Sequence, residues 1–181
     1  MKTLPLLATL LFQASPLDDY YKFKKETLWT YKRVENGAER KITGRVSGEA
    51  AGKVNLEWKE FEKDGSVRET SLVAWSVKDG VLTADAGKEG EEPALSFAVL
   101  KEGSKKDDKW TVGVGDYVHQ GTVEVTVPAG TYKNAVRVRL VLEGDTKIDF
   151  TLVPKVGLVK IDIQDGSGGN TFELVEFKEA K

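Results

Sequence analysis

From Thr27 onward, apolar and polar side chains alternate with a period of two, and the runs are punctuated by two-residue turn signals. Successive side chains of a strand point to opposite faces, so this alternation predicts strands with one buried and one solvated face. Residues 27–34 ("TLWTYKRV") run into Asn36-Gly37, and residues 39–47 ("ERKITGRVS") return. Residues 53–63 ("KVNLEWKEFEK") set Val54, Leu56 and Trp58 on one face before Asp64-Gly65. Residues 67–77 ("VRETSLVAWSV") then reach Asp79-Gly80 and a short strand at 81–84. Asn-Gly and Asp-Gly favour tight hairpins because both positions tolerate positive φ. Hairpin after hairpin predicts an antiparallel meander.

The pattern loosens over residues 85–109, which hold an acidic stretch (88–92), a short apolar strand (94–100) and a Lys/Asp-rich stretch (101–109). We read this region as a solvated connector between two groups of strands, with a charged recognition loop as the alternative. Neither group has enough residues for a core of its own. Alternation resumes at Trp110. Val123, Val125 and Val127 share a face, as do Val136, Val138, Leu140 and Leu142. Ile148, Phe150 and Leu152 face inward after a turn at Gly144-Asp145; Val159, Ile161 and Ile163 follow Pro154, and residues 171–178 close the chain. Arg137, Arg139, Lys147, Asp149 and Lys160 lie opposite the apolar face, which predicts a C-terminal sheet covered on one side only. About eleven strands of this kind, with no amphipathic helix longer than two turns, have to curl. The expected fold is all-β: a single-domain antiparallel curved sheet or half-open barrel over residues 15–181.

Composition narrows the function. With 181 residues, 40% hydrophobic and 31% charged, the chain can bury a core and does not read as disordered. A net charge of −2 lacks the basic footprint that nucleic-acid binding needs. At the N-terminus, Lys2, the apolar run "LPLLATLLF" (4–12) and the small residues of "QAS" (13–15) have the layout of a secretory signal, expected over residues 1–14. The run is too short for a membrane span, and no later segment is long enough for one. The expected location is therefore periplasmic or extracellular, with no integral span after signal removal. Cysteine is absent, which rules out disulfides, a thiol nucleophile and a lipid-anchoring cysteine.

Candidates for chemistry are few. His119 is the one histidine, and "DYVHQGTV" offers no nucleophile elbow beside it, so it reads as a structural strand residue. A zinc site would need three carboxylates, and no spacing suggests one. Acidic residues are scattered among lysines, without a pair that stands out as a glycosidic acid and base. "GVGD" (113–116) lacks the helix and lysine of a phosphate loop and reads as a bend or bulge. "DGSGGN" (165–170) lacks the alternating acidic ligands of a calcium loop and reads as a hairpin loop. Trp29, Trp58, Trp75 and Trp110 lie on strands, where they either pack the core or line a hydrophobic cavity in a concave face. In "VPAG" (127–130), Pro128 cannot donate to a ladder and Gly130 frees φ, so the stretch reads as a tight turn or corner. "KETLWTY" (25–31) and "KEGSKKDDKWTV" (101–112) each run from Lys-Glu through polar residues to Trp-Thr, as two related halves would, or by chance. No catalytic residue, cofactor or metal ligand is expected.

"LWTY" (28–31), "VPAGTYKNAVRV" (127–138), "PKVGLVK" (154–160) and the closing Leu174-Val175 resemble the TapB-like group of exported bacterial proteins. In that group an early strand carries Trp-x-Tyr, a central corner reads Val-Pro-Ala-Gly-Thr-aromatic, and a late corner reads Pro-Gly-Val-Gly-Leu-Val; here Lys155 stands at the first glycine of the late corner. The resemblance implies a partly open antiparallel barrel similar to the lipoprotein-carrier folds of the bacterial envelope, and no established catalysis. The expected function is a non-enzymatic envelope protein whose concave face holds an apolar ligand or lipid. The alternatives are a structural or interaction module of a surface or secretion assembly, binding another envelope protein through sheet edges, and a carboxylate-dependent hydrolase.

Overall fold

Twelve strands form among the described residues, all in one antiparallel sheet: β1 (Leu28–Glu35), β2 (Ala38–Ala50), β3 (Lys53–Phe61), β4 (Val67–Lys78), β5 (Val81–Gly87), β6 (Leu95–Lys101), β7 (Lys109–Val112), β8 (Gly115–Val127), β9 (Gly130–Val141), β10 (Lys147–Val153), β11 (Gly157–Asp165) and β12 (Gly168–Lys178). They belong to a computed structural model that describes residues 16–88, 91, 93–113, 115–166 and 168–181. The expected signal, residues 1–14, lies outside the described residues. The sheet order is β6-β5-β4-β3-β2-β1-β12-β11-β10-β9-β8-β7. Two six-stranded meanders are thus joined where β1 pairs with β12, from Leu28↔Lys178 to Glu35↔Asn170. Trp29 and Trp110, the tryptophans of the two similar stretches, sit on the first strand of each meander.

The turn signals act as the chemistry of φ requires. Asn36-Gly37 and Asp79-Gly80 hold positive φ at both positions and close two-residue hairpins. Ala51-Gly52 does the same between β2 and β3, with φ of 50° and 74°, although alanine gives no turn signal in sequence. Asp64-Gly65 sits instead within a longer loop, where the Asp64 carboxylate accepts from the Ser66 amide at 2.9 Å and its hydroxyl at 2.6 Å. Gly113 and Gly115 of "GVGD" lie where β7 gives way to β8, with Val112 paired to Gly115, rather than inside one bent or bulged strand. Gly113, at φ 58°, belongs to the turn of the β7–β8 hairpin, and this turn divides the alternation after Trp110 into a four-residue and a thirteen-residue strand. Bulges lie farther on, between His119 and Gly121, where Gly121 has φ 93°, and between Val123 and Val125.

The sheet curls until its edges approach. No ladder joins β6 to β7, yet the Ala98 amide of β6 donates to the Tyr117 hydroxyl of β8 at 3.0 Å. Across the interior, the rings of Phe97 (β6) and Phe150 (β10) lie 5.6 Å apart. The result is a nearly closed barrel with one unsealed seam. Val46, Val54, Leu82, Val138, Leu140, Leu152 and Leu174 fill its walls with almost no exposed surface.

The expectation that the C-terminal sheet is covered on one side only needs correction. Asp149 and Thr151 alternate with the inward Phe150 and Leu152, but they are buried too. Arg139 grips Asp149 with two hydrogen bonds of 2.7 Å, and Arg137 and Lys160 flank Thr151 on the neighbouring strands.

One end of the barrel is packed by the segment before β1. Leu17 and Tyr21 are buried around a 3-10 turn at Asp18–Tyr20, and the Lys155 amide donates to the Asp19 carbonyl at 2.6 Å. Trp29 Nε1 and the Tyr31 hydroxyl reach from β1 to the carbonyls of Val156 and Leu158, both at 2.7 Å. Phe23 packs edge-on against Trp29.

Candidate functional site

Inward alternation on β3 places Val54, Leu56, Trp58 and Glu60 in sequence along the interior, so the wall passes from apolar to charged along the barrel axis. The orientation of Trp58 depends on a missing side chain. Gly44 is its cross-strand neighbour on β2, and a Cβ there would lie 3.2 Å from Trp58 Cε2. The indole therefore occupies the space over the glycine and stacks on Tyr31 at 5.1 Å, with an angle of 14° between the rings. Burial pushes the Tyr31 phenol far above its ordinary pKa, so it remains a neutral donor to Leu158.

Beside Trp58 lies a cavity of about 160 Å³, walled by Trp58, Val73, Trp75, Phe97, Val99 and Phe150, with Ser71 contributing the one hydroxyl. None of its lining side chains is charged. A second cavity of about 150 Å³ shares Trp58 and Ser71 and adds Ile42, Glu60, Glu69 and Phe172. A larger depression of about 540 Å³ opens around Lys32, Lys41, Lys63 and Phe61. Its walls are largely charged, and it opens widely to solvent, so it encloses a ligand poorly.

At the charged end, Arg33 and Arg40 face each other across β1 and β2. Two opposed guanidinium groups repel, and Glu60 offsets them: its carboxylate lies 3.0 Å from Arg33, 3.5 Å from Arg40 and 3.4 Å from Arg68. Arg33 also donates to Glu35 at 2.9 Å and to Asn170 Oδ1 at 3.2 Å, and its guanidinium lies over the Phe172 ring. A carboxylate as buried as Glu60 needs such partners, since an unpaired charge there would be costly. The arrangement is an ion-pair network whose acids are held by arginines. Among the described residues, no three His, Asp or Glu side chains gather where they could hold a metal ion.

The residues considered from sequence separate cleanly. Trp29 packs against Phe23 and Phe177, and Trp110 stacks on Tyr117 at 5.8 Å; Trp58 and Trp75 line the cavity. Trp29, Trp75 and Trp110 belong to the buried core and Trp58 packs against it, so Trp75 is both a core residue and part of the cavity wall. His119 is a buried strand residue whose Nδ1 accepts from the Gly121 amide at 3.2 Å, across the bulge. Desolvation holds its pKa below the usual histidine value, while the nearby Asp108 opposes that shift. In "DGSGGN", Asp165 of β11 pairs with Gly168 of β12. The Arg33–Glu60 network was not anticipated. Its signal was available: extending the inward series Trp29, Tyr31 by two residues reaches Arg33, and extending Leu56, Trp58 reaches Glu60.

No known family model matches the chain, and no curated protein sequence matches it. Solved structures do. A protein from Parabacteroides distasonis ATCC 8503 described as a "putative lipoprotein" superposes with a TM-score of 0.63 at 13% identity, over 92% of this chain and 100% of its own. A "putative exported protein" with YmcC-like fold from Bacteroides fragilis NCTC 9343 gives 0.62 at 10% identity, over 88% and 99%. The chain is therefore similar in fold, across nearly its whole length, to these two Bacteroidetes proteins.

Proposed function

We propose that this is an exported, non-enzymatic envelope protein whose curved sheet holds a small apolar molecule, or one apolar arm of a larger one, between β3–β6 and β10–β11. The observation that carries this reading is the cavity of about 160 Å³ with aromatic and aliphatic walls and no charged lining residue. Moving apolar surface from water into such a space is favourable in proportion to area. A dry apolar hole of about 150 Å³ accepts a benzene-sized guest. The cavity thus suits a ring or a short chain, and it is too small for a whole two-chain lipid.

Export is supported by the signal-like residues 1–14 and by the descriptions given to the two fold neighbours. Grouping with the TapB-like proteins is supported by the order of "LWTY", "VPAGTYKNAVRV" and "PKVGLVK". The arginine-held state of Glu35 and Glu60 favours a non-catalytic reading over a carboxylate hydrolase. The test is the native mass of protein purified from the envelope fraction, before and after organic extraction. A bound mass lost on extraction is expected; a bare protein mass in both samples would overturn the reading.

The unpaired edges of β6 and β7, where Leu95 and Val112 are exposed, favour a second reading in which a partner strand adds to the sheet. A Leu95→Lys, Val112→Lys double variant should then lose a captured envelope partner while keeping its fold. Unchanged capture would sink this reading.

A further inference from the structure

We infer that the guest of the cavity carries a protonated amine at one end of its apolar body, and that Glu69 and Ser71 of β4 receive that ammonium. This rests on the cavity reading above and deepens it. Directly opposed residues of an antiparallel ladder point to the same face. The β3–β4 register opposes Leu56 to Val73, Trp58 to Ser71 and Glu60 to Glu69, so the inward series on β3 is matched by an inward series on β4. Burial rises along that row, from exposed Glu69 through half-buried Ser71 and Val73 to buried Trp75. The row is a graded floor that leads from solvent to the apolar cavity as carboxylate, hydroxyl, isopropyl and indole. Ser71 and Trp58 line both the apolar cavity and the one of about 150 Å³ that contains Glu60 and Glu69, so the two spaces adjoin. The other end is closed. There Tyr21 and Phe23 of the segment before β1 meet Trp29 and Trp75 around a space of about 20 Å³, room for no more than a water. A guest therefore enters past Glu69.

The entrance lacks a cation. Glu60 already has Arg33, Arg40 and Arg68, and Arg68 is held on its other side by Glu62 at 3.6 Å. Glu69 has neither an ion-pair nor a hydrogen-bond partner among the described residues, and the Ser71 hydroxyl has no hydrogen bond there. Two carboxylates line the second cavity, and no Lys or Arg does. Like charges set directly opposite each other repel, as Glu60 and Glu69 are. An anionic head would add to that repulsion, and a neutral head would leave it in place. An ammonium relieves it, and its three N–H groups can be shared between Glu69, Ser71 and water. The apolar body then lies along Val73 toward Trp75 and Phe97, where no charged side chain meets it.

The experiment compares hexylamine, hexanol and hexanoate, which share one tail and differ in the charge of the head, on the intact mature protein after organic extraction. Affinities are read by titration calorimetry at neutral pH. Hexylamine should bind at least about 5-fold more tightly than hexanol, with hexanoate the weakest. Added salt should weaken the amine and leave the alcohol unchanged. Glu69 is exposed, so Glu69→Gln should keep the fold; it should bring the amine to within about twofold of the alcohol without moving the alcohol. Glu102→Gln, which removes the same charge from an exposed position outside both cavities, should change neither affinity. Equal binding of amine and alcohol, tightest binding of hexanoate, or an amine preference that survives Glu69→Gln would overturn the ammonium inference and leave the cavity reading standing. Binding of none of the three would overturn both.

Discussion

The backbone amide of Ala129 donates to the carbonyl of Leu174 across 3.0 Å, tying the tip of the β8–β9 hairpin to β12. At Leu174 strand β12 has left its pairing with β11, which ends at Glu173, and bulges on its β1 side. The Pro128-Ala129 turn therefore occupies a length of β12 where a ladder partner is missing. Gly130 makes this geometry possible with φ 141°. Gly130→Val places a branched side chain in that backbone region, although open space surrounds it. The variant should lose about 1 kcal/mol or more of stability. An unchanged urea midpoint would show that the turn does not depend on the glycine.

Lys155 sits at the third position of a turn closed by the Val156 amide on the Val153 carbonyl, after Pro154, and its φ is 66°. Proline followed by a left-handed residue is a type II turn, in which glycine is the comfortable occupant. Lys155→Gly relieves the Cβ strain and gives back part of the gain as unfolded-chain entropy. A net stabilisation of about 0.5–1 kcal/mol is expected in denaturant titration. A loss of stability would mean that the lysine side chain contributes more than its backbone costs.

Tyr117 is fully buried, and its hydroxyl accepts the Ala98 amide at the seam. Tyr117→Phe keeps the ring stacked on Trp110 and strands a buried N–H, at a cost of about 1–3 kcal/mol. Hydrogen exchange at Ala98 should accelerate in the variant. If its protection stays as in the wild type, the hydroxyl does not hold the seam.

His119 supplies a dependence on acid. Burial lowers its folded pKa below the unfolded value near 6.5, so its neutral form is fully compatible with the fold above that pH. As pH falls below about 6.5 the unfolded chain takes up the proton first, and stability declines until the folded pKa is passed. The greatest slope from one such group is about 1.4 kcal/mol per pH unit. His119→Asn retains a side-chain acceptor near the Gly121 amide and should flatten this decline between pH 7.5 and 5.5. Parallel curves for the two proteins would rule the histidine out as its source.

Much of the architecture could be read from residue types, because alternation and hairpin turns are local properties. Trp58, Leu56 and Val54 share the interior face as their spacing requires, and Asn36-Gly37 turns where both φ values must be positive. The Ala51-Gly52 hairpin escaped notice because the neighbouring strands, not alanine's own preference, hold its positive φ. The cavity escaped for a different reason. Phe97 and Phe150 are 53 residues apart and meet only because the sheet curls, which no local pattern encodes. The Arg33–Glu60 pair likewise depends on the registers of β1, β2 and β3 acting together.

The strand order has a consequence for how the chain assembles. Every neighbouring pair but one is a hairpin between consecutive strands; β1 with β12 is the exception, and it lies at the centre of the sheet. A chain emerging from its N-terminus therefore carries β1 with one open flank until ten other strands have followed. The Ala180 amide lies 3.3 Å from the Thr27 hydroxyl, so the strand ends that would need joining are already neighbours. A circular permutant that keeps the packing segment 16–26, links it through a flexible linker to the C-terminal end of β12 and is opened within residues 102–108 would run β7 through β12 and then β1 through β6, pairing each strand with the next. Its lower contact order should give faster refolding than the natural order at similar stability, in stopped-flow measurement. Equal rates would mean that closing the central pair does not limit folding.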